Sequence, residues 1–205
     1  MKTFILLLSG PSGSGKSTLL RKLFDEFENE LYFSISSTTR TKRADEVDGV
    51  HYHFITHKEF KESINKGDFL EWAKVHENYY GTSLKNVQQA LNNGKTVIFD
   101  IDTQGFHITK HKLKERIVTV FITTKNKKEL EKRLLKRNTD TIKDLQKRLE
   151  NANTEMAELE KYDYLIINED LQQSYEALKS IFIVQKLRTQ NQDIEQIKNL
   201  WNKGE

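Results

Sequence analysis

Apolar residues gather in four short continuous runs, at 4–8, 96–99, 117–122 and 164–167. Each is too brief for a helix, and each is unbroken rather than alternating, which marks strands buried on both faces as in a parallel sheet. Between them the spacing turns helical. In 16–28, Leu19, Leu20, Leu23, Phe24 and Phe27 fall on one side, and a polar helix-like segment precedes 117. Strands that alternate with helices predict βαβ units around one parallel sheet. Two further helices are expected in the tail, at about 171–187 and about 193–201.

Two stretches break this rhythm. Residues 34–94 hold short alternating patterns such as Val50, Tyr52 and Phe54, and read as an insertion with a few antiparallel strands and two short helices. Residues 126–158 are helical in pattern and dense in charge, with few large apolar positions, and read as a mobile helical arm. The chain is thus expected to form a single domain over 1–205: a core of 1–33, 95–125 and 159–205, an inserted lobe at 34–94 and a lid at 126–158. It shows no internal repeat.

Composition narrows the function classes. The 33 basic and 30 acidic residues leave a net charge of +3, which gives no general case for binding nucleic acid or an anionic membrane. Without cysteine there is neither disulfide nor thiolate metal site. The first apolar run is too short for a signal peptide, and nothing approaches a membrane span of roughly 20 apolar residues. A cytoplasmic protein is expected.

Gly10, Pro11, Ser12, Gly13, Ser14, Gly15, Lys16 and Ser17 fit the pattern G-x-x-x-x-G-K-[ST], directly after a strand and directly before a helix. Glycines there let backbone N–H groups turn toward a polyphosphate, and the helix adds its positive end. Lys16 reaches the outer phosphates and Ser17 offers a hydroxyl to Mg²⁺. The strand at 96–99 ends in Asp100, a carboxylate suited to that ion or its waters, with Asp102 two residues on. Helix capping is the competing role for Asp102 or Thr103.

Residues 36–43 are rich in hydroxyls and cations. Arg40 and Arg43, with Tyr52 and Tyr80 downstream, suit a phosphate monoester; a solvated basic turn is the alternative. Glu71 stands among Phe69, Leu70 and Trp72. If buried, its carboxylate needs donors, which a purine edge with two N–H groups supplies; otherwise it is an exposed acid. Arg133 and Arg137, four apart, share a helix face, and Arg148 follows a break near 138–140. Such an arm could bring positive charge to a migrating phosphoryl group, or could be an ordinary charged helix.

Taken together, these motifs resemble the guanylate kinase family. The resemblance rests on Gly10 to Ser17, on Ser-x-Thr-Thr-Arg-x-x-Arg at 36–43, and on Asp48-Gly49-x-x-Tyr52-x-Phe54. It also rests on Glu71-Trp72-Ala73, Asn78-Tyr79-Tyr80-Gly81-Thr82, Asp100-Ile101-Asp102-x-Gln104-Gly105 and the three arginines. It implies a three-layer α/β phosphate-loop nucleoside monophosphate kinase fold, with a central parallel sheet, an inserted mixed α/β GMP-binding lobe and a helical lid. It further implies transfer of the γ-phosphoryl of ATP, with Mg²⁺, to GMP and dGMP.

By the same resemblance Ser36, Glu71, Thr82 and Asp102 contact guanine, and Arg40, Arg43, Tyr52 and Tyr80 hold the GMP phosphate. Gly10 through Thr18 hold ATP, Asn168 approaches adenine, Ser17 and Asp100 attend the metal, and Lys16 with Arg40, Arg43, Arg133, Arg137 and Arg148 serves catalysis. Ala44-Asp45 stands where the family often has Pro-Gly, Thr82 where serine is frequent, and Asn138 where glycine is common. A monomer or homodimer is expected, with no nucleic-acid or membrane partner. The alternatives are a non-catalytic binding module of this fold, or a kinase for another nucleoside monophosphate.

Overall fold

The computed structural model describes residues 3–43, 46–75, 77–113, 116–136 and 142–204. In chain order the elements begin with strand β1 (Ile5–Ser9), helix α1 (Lys16–Phe27) and strands β2 (Leu31–Phe33), β3 (Ser37–Thr38) and β4 (His53–Phe54). Helix α2 (His57–Lys66), strands β5 (Phe69–Val75) and β6 (Asn78–Ser83) and helix α3 (Leu84–Asn92) follow. Then come β7 (Thr96–Asp100), α4 (Thr103–Leu113), β8 (Ile117–Thr123), α5 (Lys127–Lys136) and α6 (Ile142–Met156). The chain closes with β9 (Tyr164–Ile167), α7 (Leu171–Leu187) and α8 (Ile194–Lys203).

The central sheet has five strands in the order β2-β7-β1-β8-β9, every pair parallel. Its middle strand explains why the sequence shows no alternation. Leu6 and Leu8 face a core made with Leu19, Leu20 and Leu23 of α1 and Tyr175, Leu178 and Phe182 of α7. Ile5 and Leu7 face the opposite core, with Val87 and Ala90 of α3 and Phe106 of α4. Both faces are covered, so both sets must be apolar. Each fully buried Leu, Ile or Phe among them contributes about 1.5–3 kcal/mol relative to exposure.

Four of the five strands lie on the runs singled out in the sequence. The fifth, β2, was not anticipated. It is three residues long and joins the edge through Leu31 opposite Thr96 and Phe33 opposite Ile98, too short a segment to show a period.

The second sheet, ordered β4-β3-β6-β5, comes from residues 37–83. Its β3–β6 and β5–β6 pairs are antiparallel, as the alternating patterns suggest. The β3–β4 pair is parallel, which the patterns do not reveal. Helix α2 begins with a capping box, in which Thr56 accepts from the Glu59 N–H and Glu59 bonds back to the Thr56 backbone, and it ends on Gly67 in the left-handed region. α5 and α6 pair through a small core of Leu130, Leu134 and Ala152. Ala44, Asp45, Arg137 and Asn138 lie outside the described residues, so the expected lid turn and the shared face of Arg133 and Arg137 do too. Among the described residues no helix is long and apolar enough to cross a membrane.

Candidate active site

β1 and β7 lie side by side and end at the same rim of the sheet, where open α/β folds bind ligands. β1 leads into the glycine loop, and β7 ends on Asp100. The loop needs its glycines for two separate reasons. Gly10, Gly13 and Gly15 have φ of 134°, 90° and 99°, a region that side chains disfavour. A Cβ on Gly10 would also stand 2.0 Å from the Ile122 carbonyl oxygen, and one on Gly15 2.2 Å from Asn168 Nδ2.

The Ser14 N–H donates to the Pro11 carbonyl at 3.0 Å and closes the turn. Gly15 caps α1 without a side-chain hydrogen bond, and no acid occupies the first turn. The positive end of that helix therefore stays available to an anion. The Thr18 N–H bonds back to the Gly15 carbonyl at 3.1 Å.

Lys16 Nζ donates to the Gly10 carbonyl at 2.6 Å and lies 3.9 Å from Asp100 Oδ1. Burial pushes the Asp100 carboxyl up, with Lys16 opposing the shift. A cavity of about 300 Å³ opens over the loop. It is lined by Gly10, Ser12, Gly13, Gly15, Lys16 and Ser17, and closed by Tyr52, Asp100, Ile101, Asp102 and Glu155. Its floor of N–H groups and an ammonium, with two aspartates at the side, suits a polyphosphate accompanied by a cation.

A second cavity, of about 250 Å³, adjoins it and shares Tyr52, Asp100, Ile101 and Asp102 as a common wall. Ser36, Glu71 and Tyr80 complete its polar lining. Glu71 is only 4% exposed, so the reading as a surface acid does not hold. Its position follows from β5, whose Glu71 pairs with Thr82 of β6. Thr82, fully buried, donates its hydroxyl to Glu71 Oε1 at 2.6 Å. Oε2 stands 3.5 Å from where a Cβ on Gly105 would sit. Burial raises the Glu71 pKa, Thr82 pulls it down, and Asp102 adds to the rise. Asp102 lines both cavities and also accepts the Gly105 N–H at 2.9 Å, so it caps α4 as well.

Beside that common wall the Tyr52 and Tyr80 rings lie 5.9 Å apart, with the Arg40 guanidinium carbon 5.5 Å from the Tyr52 centroid. Arg40 pairs with Glu46 through two bonds, Nη1 to Oε2 at 3.0 Å and Nη2 to Oε1 at 2.6 Å. The Arg43 side chain is exposed, while its N–H donates to Glu46 Oε2 at 2.8 Å. These contacts bring the Glu46 carboxyl down to about 2.

Helices α5 and α6 each send an arginine to the loop. Arg148 Nη1 donates to Ser12 Oγ at 2.7 Å. Arg133 donates to the Asn168 carbonyl at 2.6 Å and to the Ser14 carbonyl at 3.4 Å. Asn168 Nδ2 also donates to the Ser14 carbonyl, at 2.8 Å. Arg133 and Asn168 thus brace the loop's backbone and do not line either cavity described above. Arg137 lies outside the described residues.

Two acids at the site were missed by sequence reasoning. Glu46 lies three residues beyond Arg43, just past the 36–43 run read for its hydroxyls and cations. Glu155, on α6, enters the loop cavity with Oε2 buried and no hydrogen-bond partner for it among the described residues. Burial raises its pKa, with Lys16 opposing. Nothing in the sequence separates Glu155 from the other charges of a charge-dense helix.

A family model described as guanylate kinase matches residues 1–185. A guanylate kinase from Campylobacter jejuni is 66% identical over 205 residues, covering 100% of both chains. One from Helicobacter pylori is 51% identical over 199 residues, covering 96% of this chain and 95% of the relative. Among solved structures, a guanylate kinase from Anaplasma phagocytophilum superposes with a TM-score of 0.75 at 29% identity, over 94% of this chain and 90% of that one.

Proposed function

The chain belongs to the guanylate kinase family, and on that premise we propose that its paired cavities carry the γ-phosphoryl of ATP directly onto the phosphate of GMP, giving ADP and GDP. One observation supports this reading above the others. The cavity over the phosphate loop and the cavity of the buried acid share a wall, so donor and acceptor held there would lie side by side.

In this account the loop N–H groups from Gly10 through Thr18 cradle the triphosphate. Lys16 exchanges the Gly10 carbonyl for a charged phosphate oxygen. Ser17 and Asp100 line one cavity, and a hydroxyl with a carboxylate is a hard-oxygen pair that suits Mg²⁺. Bound there with ATP, the ion would offset charge on the β and γ phosphates.

Across the wall, Glu71 accepts guanine N1–H and the exocyclic amino group, positioned by Thr82 and flanked by Ser36 and Asp102. Adenine offers an acceptor at N1 and no amino group at C2, so it would leave the buried carboxylate unpaired. Neither contact involves the ribose 2′-hydroxyl, which fits use of dGMP as well.

Arg40, Arg43, Tyr52 and Tyr80 hold the acceptor phosphate. Its oxygen is already anionic, so the attack needs positioning and charge neutralisation rather than a strong base. Arg137 and Arg148 supply positive charge to the transferring group, Arg148 already being bonded to Ser12 of the loop, and Arg133 and Asn168 keep the loop in shape. The division of the chain into a core, a GMP-binding lobe at 34–94 and a lid at 126–158, working in the cytoplasm, completes the reading.

Lys16→Met tests these assignments. GMP affinity, measured by calorimetry, should stay within about twofold, while phosphoryl transfer should drop by at least roughly 100-fold. Turnover near that of the parent would contradict the placement of the donor phosphates.

A further inference from the structure

The Arg40–Glu46 pair raises a question of donor accounting. A guanidinium carries five N–H donors in one plane, arranged as a terminal fork (Nη1 and Nη2) and a lateral fork (Nε and Nη2). Glu46 takes the terminal fork through both of its oxygens. The other Nη1 proton goes to the Thr41 carbonyl at 2.8 Å. Glu46 and Thr41 thus leave Nε–H and the second Nη2 proton, which together form the lateral fork, with the Tyr80 hydroxyl as the further side-chain partner of the guanidinium.

Glu46 acts on the backbone as well. Oε2 accepts the Arg43 N–H at 2.8 Å, and the Glu46 N–H returns to the Arg43 carbonyl at 3.2 Å. One carboxylate therefore ties together both arginines of the segment. The pair is well shielded, with side-chain exposures of 17% for Arg40 and 10% for Glu46. The aromatic rings of Tyr52 and Phe54 hold the guanidinium from another side, at 5.5 and 5.7 Å.

We propose that Glu46 is a positioning residue for the acceptor phosphate: it keeps the terminal fork of Arg40 and presents the lateral fork to the phosphate monoester of GMP, staying paired when GMP binds. This rests on the reading of Arg40 as a ligand of that phosphate. An unpaired arginine would have to give up its rotamer freedom on each binding event, and Glu46 removes that cost in advance. The same carboxylate is an anion near an anion, so it also weakens the field on the phosphate. A two-point clamp on a shielded side chain favours the ordering effect. The opposite design is a stand-in anion that occupies Arg40 until the phosphate displaces it.

Affinity for GMP and for guanosine, which shares the base but lacks the phosphate, separates these designs. Both would be titrated by calorimetry into the parent, Glu46→Gln, Glu46→Asp, Arg40→Met and the Arg40→Met/Glu46→Gln double variant, alongside KM for ATP. Positioning predicts that Glu46→Gln weakens GMP roughly tenfold, about 1.4 kcal/mol. Guanosine affinity and KM for ATP should stay within about twofold, and Glu46→Asp should fall between. With Arg40 already gone, Glu46→Gln should add nothing, because the effect runs through the guanidinium.

GMP binding that is unchanged or tighter in Glu46→Gln would overturn the proposal in favour of the stand-in. A parallel loss of guanosine binding would overturn it in favour of a merely structural role. If Arg40→Met itself bound GMP normally, the premise about Arg40 would fall, and this inference with it.

Discussion

Replacing Glu71 by glutamine is the sharpest probe of how the acceptor is chosen, because it keeps the shape and removes one acceptor. The side chain is almost fully enclosed, with Oε1 held by the Thr82 hydroxyl at 2.6 Å. A glutamine there has two orientations. With its oxygen on Thr82, its amino group faces the two N–H donors of guanine. Turned over, the amide oxygen accepts one guanine N–H, and the Thr82 hydroxyl rotates to accept from the amide. Either way at least one charge-assisted hydrogen bond is lost in a site that water cannot refill, a cost of about 1.5–3 kcal/mol.

At 1.4 kcal/mol per decade, kcat/KM for GMP should fall roughly 10- to 100-fold in Glu71→Gln. The KM for ATP should not move, since Glu71 is not part of the loop cavity's lining. A coupled ADP-release assay, with each substrate varied at saturating levels of the other, reads both constants.

The pH dependence supplies a second signature. Burial raises the Glu71 pKa above its ordinary 4.5, so as pH falls this carboxylate takes up its proton before an exposed one would. The acceptor-binding form is the ionised one, and kcat/KM for GMP should therefore show an acid limb above pH 4.5 that Glu71→Gln lacks. An effect smaller than about threefold, or an equal loss in KM for ATP, would refute the assignment of guanine to Glu71.

Gly15→Ala should lose ATP binding and unfold at a lower temperature, because its Cβ would stand 2.2 Å from Asn168 Nδ2 on a backbone at φ 99°. Gly49→Ala, at φ 74° with nothing within 4 Å of the added carbon, should cost only the backbone strain of about 1 kcal/mol and leave ATP binding intact. Acid unfolding followed by circular dichroism should report on Glu46. Its folded pKa of about 2 lies below the ordinary 4.5, so its ionised form stabilises the fold above 4.5, and that contribution drains away between 4.5 and 2. Glu46→Gln should flatten that part of the stability curve, and an unchanged acid limb would argue against the Arg40 pair as its source.

The parallel core was legible in the sequence because burial on both faces leaves an unbroken apolar run. Residues 117–122 illustrate this, since β8 is buried at every position; β9 coincides with its expected run at 164–167 but lies at the sheet edge with only Ile166 buried. The phosphate loop was legible because its backbone admits so few residues. At Gly10 the Ile122 carbonyl excludes any side chain, and at Gly15 a φ of 99° and the Asn168 amide disfavour one, so the pattern records geometry directly. β2 was not legible, since three residues carry no period, and its strand conformation comes from pairing with β7.

At the site, composition told apart cations and acids but not their partners. Glu71 became a candidate only through its apolar neighbours, and its enclosure depends on pairing with a strand eleven residues away, where Thr82 lies opposite. Glu46 escaped notice because it sits among charges in a loop, where the usual reading is solvation; its clamp on Arg40 exists only in three dimensions. Glu155 is hidden for the opposite reason. It belongs to a helix whose charge density masks an acid turned into the loop cavity.

The direct test of the whole account is a steady-state ADP-release assay on the purified chain with Mg²⁺ and ATP, comparing GMP, dGMP, AMP and UMP as acceptors. We expect rapid ADP formation with GMP, use of dGMP, and rates with AMP and UMP lower by at least roughly 1000-fold, as a buried carboxylate left without its donors demands. Equal rates with AMP and GMP, or no ADP formed with GMP at all, would contradict it.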